Sequence, residues 1–182
     1  MKPMLFILLF SILSCKNDTS GSELNESKDV LETTAEVVDI SDIDLDIYDY
    51  DGIEPLINIK DDKIHVVNFW ATWCAPCVKE LPYFEAIHQN YKDKNVEVLL
   101  VSLDFPRDYD KKLKPFMKTQ NIQSKVVALD DTNMNRWLPM VSEDWSGALP
   151  ATIIYSGEKR QFYEKSFTKE ELESELKQFL SL

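Results

Sequence analysis

The sequence predicts one α/β domain, a central sheet flanked by helices, and three observations predict it. Stretches rich in β-branched and aromatic residues alternate with helical ones from about residue 63 to residue 138. A hairpin and a last helix follow. A Cys-x-x-Cys pair, Cys74 and Cys77, falls where a strand ends and a helix begins. At 182 residues the chain is long enough for one full core with length to spare.

Taken in order, Asp49-Tyr50-Asp51-Gly52 reads as a turn leading towards the first firm strand. Residues 63–70 (KIHVVNFW) read as that strand, buried by composition. From Cys77 to about Tyr91, Leu81, Phe84, Ile87 and Tyr91 recur at helical spacing. Residues 96–103 (VEVLLVSL) form a near-continuous apolar run, as in a strand covered on both faces. Strand, helix and strand here make a right-handed βαβ unit. Residues 109–120 read as a helix, 125–129 as a strand and 133–138 as a short helix. Residues 151–155 and 160–163 read as a hairpin turning at Ser156-Gly157. Thr168 and Glu171 make a capping box for a helix running to Leu180.

The N-terminus reads as an address. Lys2, a ten-residue mostly apolar run (4–13) and Ser14-Cys15 have the layout of a secretory signal peptide. As a helix that run spans about 15 Å, half of a bilayer core of roughly 30 Å, which argues against a transmembrane segment. Ile12-Leu13-Ser14-Cys15 resembles a bacterial lipobox, which implies cleavage before Cys15 and lipidation of its thiol. Acyl chains at about 0.8 kcal/mol per buried CH₂ hold such a protein to a membrane. Lys16 after the cysteine, rather than Asp, favours export beyond the inner membrane by the same resemblance. Residues 1–14 are therefore read as signal peptide, 15–47 as an acidic flexible tether and 48–182 as the folded domain. The stretch from Lys16 to Ile47 carries ten acidic residues, two lysines and no aromatic residue, too little apolar surface to offset ordering. Its end, with Ile40, Ile43, Leu45 and Ile47 alternating, could pair as a short strand. The net charge of −12 argues against nucleic acid, whose phosphates demand Lys and Arg.

The placement of the Cys-x-x-Cys carries the chemistry. A helix N-terminus has unpaired N–H groups and about half a positive charge, so a cysteine there is favoured as thiolate. Two intervening residues let a second thiol reach back and resolve a mixed disulfide. Pro76 suits a first helical turn. The alternatives are thinner. Structural zinc needs about four ligands, and the chain has three cysteines with no second pair; His88 lacks a partner histidine beyond it. Haem attachment needs histidine at position 78, which is Val78. A purely structural disulfide across two residues closes a loop too small to gain much entropy. No cofactor or metal is called for by any of these patterns.

Residues 68–77 (NFWATWCAPC) followed by Lys79-Glu80-Leu81-Pro82 resemble the active-site block of the TlpA/ResA branch of the thioredoxin superfamily. Asp51-Gly52 and Gly147-Ala-Leu-Pro-Ala-Thr152 extend the likeness over residues 48–182. The resemblance implies a thioredoxin-like fold with a mixed sheet and an extra helix and strand between the Cys-x-x-Cys helix and a cis-proline. It further implies that Cys74 is the nucleophile, Cys77 the resolving thiol and Pro150 the cis-proline against the disulfide, with the Leu149 backbone offered to an extended substrate. Pro82 should kink the helix. Many thioredoxins bury an acid where this chain has Asn68, which cannot titrate.

Other residues admit two readings. Glu80, three residues past Cys77, is either its proton acceptor or a solvated helix charge beside Lys79. Trp73 is either substrate surface or packing, Trp145 either the rim of the site or core; Trp70 reads as core and His65 as structural. The function expected is a membrane-anchored, periplasm-facing thiol–disulfide oxidoreductase that reduces protein disulfides and is recharged by an upstream membrane donor. The resemblance extends to roles such as cytochrome c maturation. The rivals are a dithiol oxidase or isomerase, and a non-catalytic lipoprotein binding module with a structural disulfide.

Overall fold

Every residue of β2 (Ile64–Trp70) is buried, as a strand covered on both faces requires. Side chains alternate across a strand, and here the alternation sorts the core into two layers. Ile64, Val66 and Trp70 join one apolar cluster; Val67 and Phe69 join the other. The computed structural model describes residues 38–180, and within them β2 lies inside a six-stranded sheet. Around it in chain order run β1 (Asp46–Tyr48), α1 (Tyr50–Ile57), α2 (Ala75–Tyr91), β3 (Val96–Ser102), α3 (Lys114–Thr119), β4 (Lys125–Leu129), α4 (Met134–Val141), β5 (Ala151–Ser156), β6 (Lys159–Tyr163) and α5 (Lys169–Leu180).

The sheet order is β1-β4-β3-β2-β5-β6. The first four strands are mutually parallel, while β5 pairs antiparallel with both β2 and β6, so the sheet is mixed. One face carries α2, α5 and the Leu113–Phe116 region through Cys77, Leu81, Phe84, Leu172, Leu176 and their neighbours. The other carries α1 and α4 through Ile53, Ile57, Trp137 and Val141. Between α2 and the proline loop the chain adds α3, β4 and α4, with β4 seated between β3 and β1. This is the thioredoxin-like plan with the additional helix and strand.

Three details differ from expectation. Asp49 opens a helix, not a turn: its carboxylate accepts from the Gly52 N–H at 2.9 Å and caps α1. Gly52 and Pro55 hid that helix, which tertiary burial of Tyr50, Ile53 and Ile57 stabilises. The alternating residues at the end of the acidic stretch form β1, so the sheet, not the tether, takes in Asp46 and Ile47. The helix expected at 109–120 starts as a wider turn, Tyr109–Leu113, before narrowing into α3. Elsewhere β2, β3, β4 and the hairpin lie where the composition places them, and Thr168 and Glu171 exchange the two hydrogen bonds of a capping box. Pro82 sits inside α2, which continues past it to Tyr91. The signal peptide, Cys15 and the tether up to residue 37 lie outside the described residues. Among the described residues no helix is long and apolar enough to cross a membrane.

Candidate active site

The site forms where β2 hands over to α2. Cys74 is the N-cap of α2, with an extended backbone, and its Sγ accepts from the Cys77 N–H at 3.3 Å. Ala75 and Pro76 fill the first helical turn, which contains no acidic side chain to offset the positive end of the helix. Cys74 and Cys77 are joined as a disulfide with Cα atoms 5.3 Å apart. Cys74 keeps 6% of its surface exposed and Cys77 none. Of the two cysteines, the one at the helix terminus is the one with surface left to a partner, and Cys77 is wholly shielded.

Beneath the pair sits a buried polar group. Glu80 is 1% exposed, so the solvated-charge reading does not hold. It is kept from water because Asn68 on β2 and the Ser166–Phe167 segment close over it. Its Oε2 accepts from the Phe167 N–H at 2.6 Å and the Ser166 hydroxyl at 3.0 Å; its Oε1 accepts from Asn68 Nδ2 at 3.3 Å. Burial pushes the Glu80 carboxyl up from its ordinary value, and those three donors pull it partly back down. Asn68 is fully buried on the α2 side of β2. Its Nδ2 also reaches the cross-strand Thr152 hydroxyl at 3.1 Å and the Ala151 carbonyl at 3.4 Å. A titratable carboxyl and a non-titrating amide thus meet between α2 and β2, one helical step past Cys77.

The second wall is the loop before β5. Leu149–Pro150 is a cis peptide bond. Ala151 pairs with Phe69, which places Pro150 one step further along, beside the end of β2 from which the cysteine loop departs. Pro150 is buried and Leu149 half-buried. Trp73 stands 54% exposed and stacks with the equally open Phe105, ring centroids 6.4 Å apart. Packing in the core is not its role. Trp145 is core instead: it is 6% exposed and lies 4.7 Å from the Phe69 ring. Trp70 is fully buried, and the buried His65 stacks on Tyr155 far along β2.

Several contributors carried no signal in the sequence. Asp104, 2% exposed, accepts from the Thr72 N–H at 2.9 Å, from the Thr72 hydroxyl and from the Ser102 hydroxyl at 2.8 Å. Ser166 and Phe167 reach Glu80 across more than eighty residues, a separation no local pattern encodes.

The AhpC/TSA family matches residues 44–160 of this chain. A thiol-disulfide oxidoreductase ResA from Geobacillus kaustophilus is 31% identical over 148 residues, 80% of this chain and 79% of that protein. One of the same name from Oceanobacillus iheyensis is 54% identical over a shorter stretch of 39 residues, 21% of this chain and 20% of that protein. Among solved structures, a thioredoxin-related protein from Neisseria meningitidis serogroup B superposes with a TM-score of 0.57 at 22% identity, covering 68% of this chain and 90% of the other. A DsbF homologue from Corynebacterium diphtheriae gives 0.53 at 24% identity over 65% and 73% of the two chains. The structural matches establish the thioredoxin-like fold.

Proposed function

The chain belongs to the AhpC/TSA family and is a thiol–disulfide oxidoreductase, and from that premise we propose that it works as a membrane-anchored, extracytoplasmic reductase of protein disulfides through Cys74 and Cys77. The observation that carries this reading is the disulfide at the α2 N-terminus, with Cys74 as the accessible sulfur.

In the reduced protein, the Cys74 thiolate attacks one sulfur of a substrate disulfide. A mixed disulfide forms and one substrate sulfur leaves as thiolate. Cys77 then attacks the Cys74 sulfur, releasing the second substrate thiol and leaving the Cys74–Cys77 disulfide. Two electrons have passed to the substrate, and an upstream membrane dithiol donor restores them. Glu80 accepts the proton Cys77 must lose, a role supported by its burial under the pair and its raised affinity for protons. A buried carboxylate that ionises there also disfavours the thiolates, which favours the disulfide form and so a reducing couple. Trp73 and the Leu149–Pro150 edge receive the substrate, the latter by backbone pairing with an extended segment. Lipidation of Cys15 holds the domain to the membrane, at the end of an acidic tether.

Substitution of each cysteine tests the reading. Cys77→Ser should accumulate mixed disulfides with substrates, and Cys74→Ser should neither reduce substrates nor trap them. Trapping by Cys74→Ser alone would reverse the roles. Trapping by neither variant, with no reduction by the wild type, would leave a binding module.

A further inference from the structure

We propose that Glu164 is a positioning residue that holds the loop before Pro150 in the shape a polypeptide disulfide docks against. The inference rests on the reading above, in which the Leu149 backbone receives the substrate.

Three hydrogen bonds from this loop converge on one carboxylate. Glu164 Oε1 accepts from the Ala148 N–H at 2.9 Å and from the Ser146 hydroxyl, and Oε2 accepts from the Ser146 N–H at 3.2 Å. The loop's other end is held by the core. Trp145 is wedged among Phe69, Trp137 and Phe162, and its indole N–H donates back to the Ala148 carbonyl at 2.9 Å. Between them Gly147 adopts φ +93°, and a Cβ there would stand 3.2 Å from a Leu138 methyl. Residues 145–148 are thus a closed turn whose last residue adjoins Leu149.

Glu164 reaches this turn because of where β6 stops. Tyr163 pairs with Thr152, two residues past Pro150, so the next residue emerges beside the loop. Glu164 is itself tethered from behind. Two and three residues further on, Ser166 and Phe167 donate to Glu80 under the dithiol. A four-residue strap therefore touches both walls of the site, the buried carboxyl at one end and the substrate edge at the other. Charge-assisted bonds to backbone N–H groups are the stronger kind and fix direction as well as distance. Strand addition needs a backbone edge set in advance, because a loop that must be ordered on binding weakens it. A small aromatic disulfide, which has no peptide backbone to pair, makes little use of that edge.

The test compares two substrates in full-length reduced protein: a disulfide-linked dimer of a cysteine-containing peptide, and dithiobis(nitrobenzoate). Glu164→Ala should raise KM for the peptide and cut the peptide-over-small preference in kcat/KM by about tenfold, with kcat changing less than KM. Glu164→Gln keeps an acceptor for the Ala148 N–H and should fall between wild type and Ala; it also carries the test if the alanine variant fails to fold. Equal slowing of both substrates, or an unmoved preference in Glu164→Gln and Glu164→Ala alike, would overturn the proposal. A wild type that reduces the small disulfide and never the peptide would overturn the underlying reading instead, whatever the variants do.

Discussion

Glu80 holds its carboxyl between two opposing influences, the desolvation that favours its neutral form and three donors that favour the anion, and desolvation wins. The sign of its effect on stability follows. A carboxyl whose folded affinity for protons is raised above the ordinary 4.5 adds stability that is complete below that value and is lost as pH climbs through the folded one. Glu80→Gln keeps the shape and never ionises, so its melting temperature relative to wild type should rise as pH increases from about 4.5 upward. The same substitution removes the acceptor for the Cys77 proton, so single-turnover reduction should slow near neutral pH. Loss of a buried negative charge beside the thiols should also lower the pH at which thiolate absorbance appears. Thiolate titrations and rates that match wild type would remove Glu80 from the mechanism. Asn68, its neighbour, can donate to Glu80 in either protonation state and cannot take its proton, so the two residues do not compete.

At the scale of elements, two carboxylates past strand ends hold the two loops of the site. Glu164, beyond β6, holds the proline loop. Asp104, beyond β3, holds the cysteine loop. The Leu103 N–H donates to the Trp70 carbonyl at 2.8 Å, and Asp104 then grips Thr72 by both backbone and hydroxyl. The Cys74 N–H donates to the Ala71 carbonyl at 3.1 Å, so the gripped Thr72 lies inside the nucleophile's own turn. The residues flanking these contacts, Trp73 and Phe105, are brought face to face by the same clasp. Asp104→Ala strips the Thr72 N–H and the Ser102 hydroxyl of an acceptor in a nearly water-free place. It should cost about 1–3 kcal/mol of unfolding free energy in urea titrations, the range for buried groups left unpaired. A loss within the scatter of ordinary surface substitutions would mean that water replaces the carboxylate and the clasp is not structural. Helix α1 shows the converse case, where a Gly and a Pro are tolerated because Ile53 and Ile57 are wholly buried.

At the scale of the molecule, the described domain brings its own sheet, both apolar layers and the dithiol, and the proposed anchor lies far from it in sequence. Wild type should therefore partition with membranes, whereas Cys15→Ala should fail to mature normally, with its thiol–disulfide exchange rate within about twofold of wild type. Mass spectrometry showing a mature N-terminus downstream of Cys15 and without lipid would sink the anchoring proposal. Most of what was legible in the sequence was governed by neighbours a few residues apart. The β-branched run of β2, the N-cap position of Cys74, Pro76 in the first turn, the i+3 step to Glu80 and the Thr168–Glu171 capping box all depend on local geometry that periodicity records. What each of those positions meets depends on contacts made in the packed fold. The same i+3 step serves a solvated Glu or a buried one. Glu80 is buried because Asn68, Ser166 and Phe167 close over it from 12, 86 and 87 residues away. Asp104 and Glu164 look like ordinary loop acids until the sheet brings Thr72 and Ser146 to them across 32 and 18 residues. Those partners are set by strand order and register, which are properties of the whole packed chain, so no short window of residues contains them.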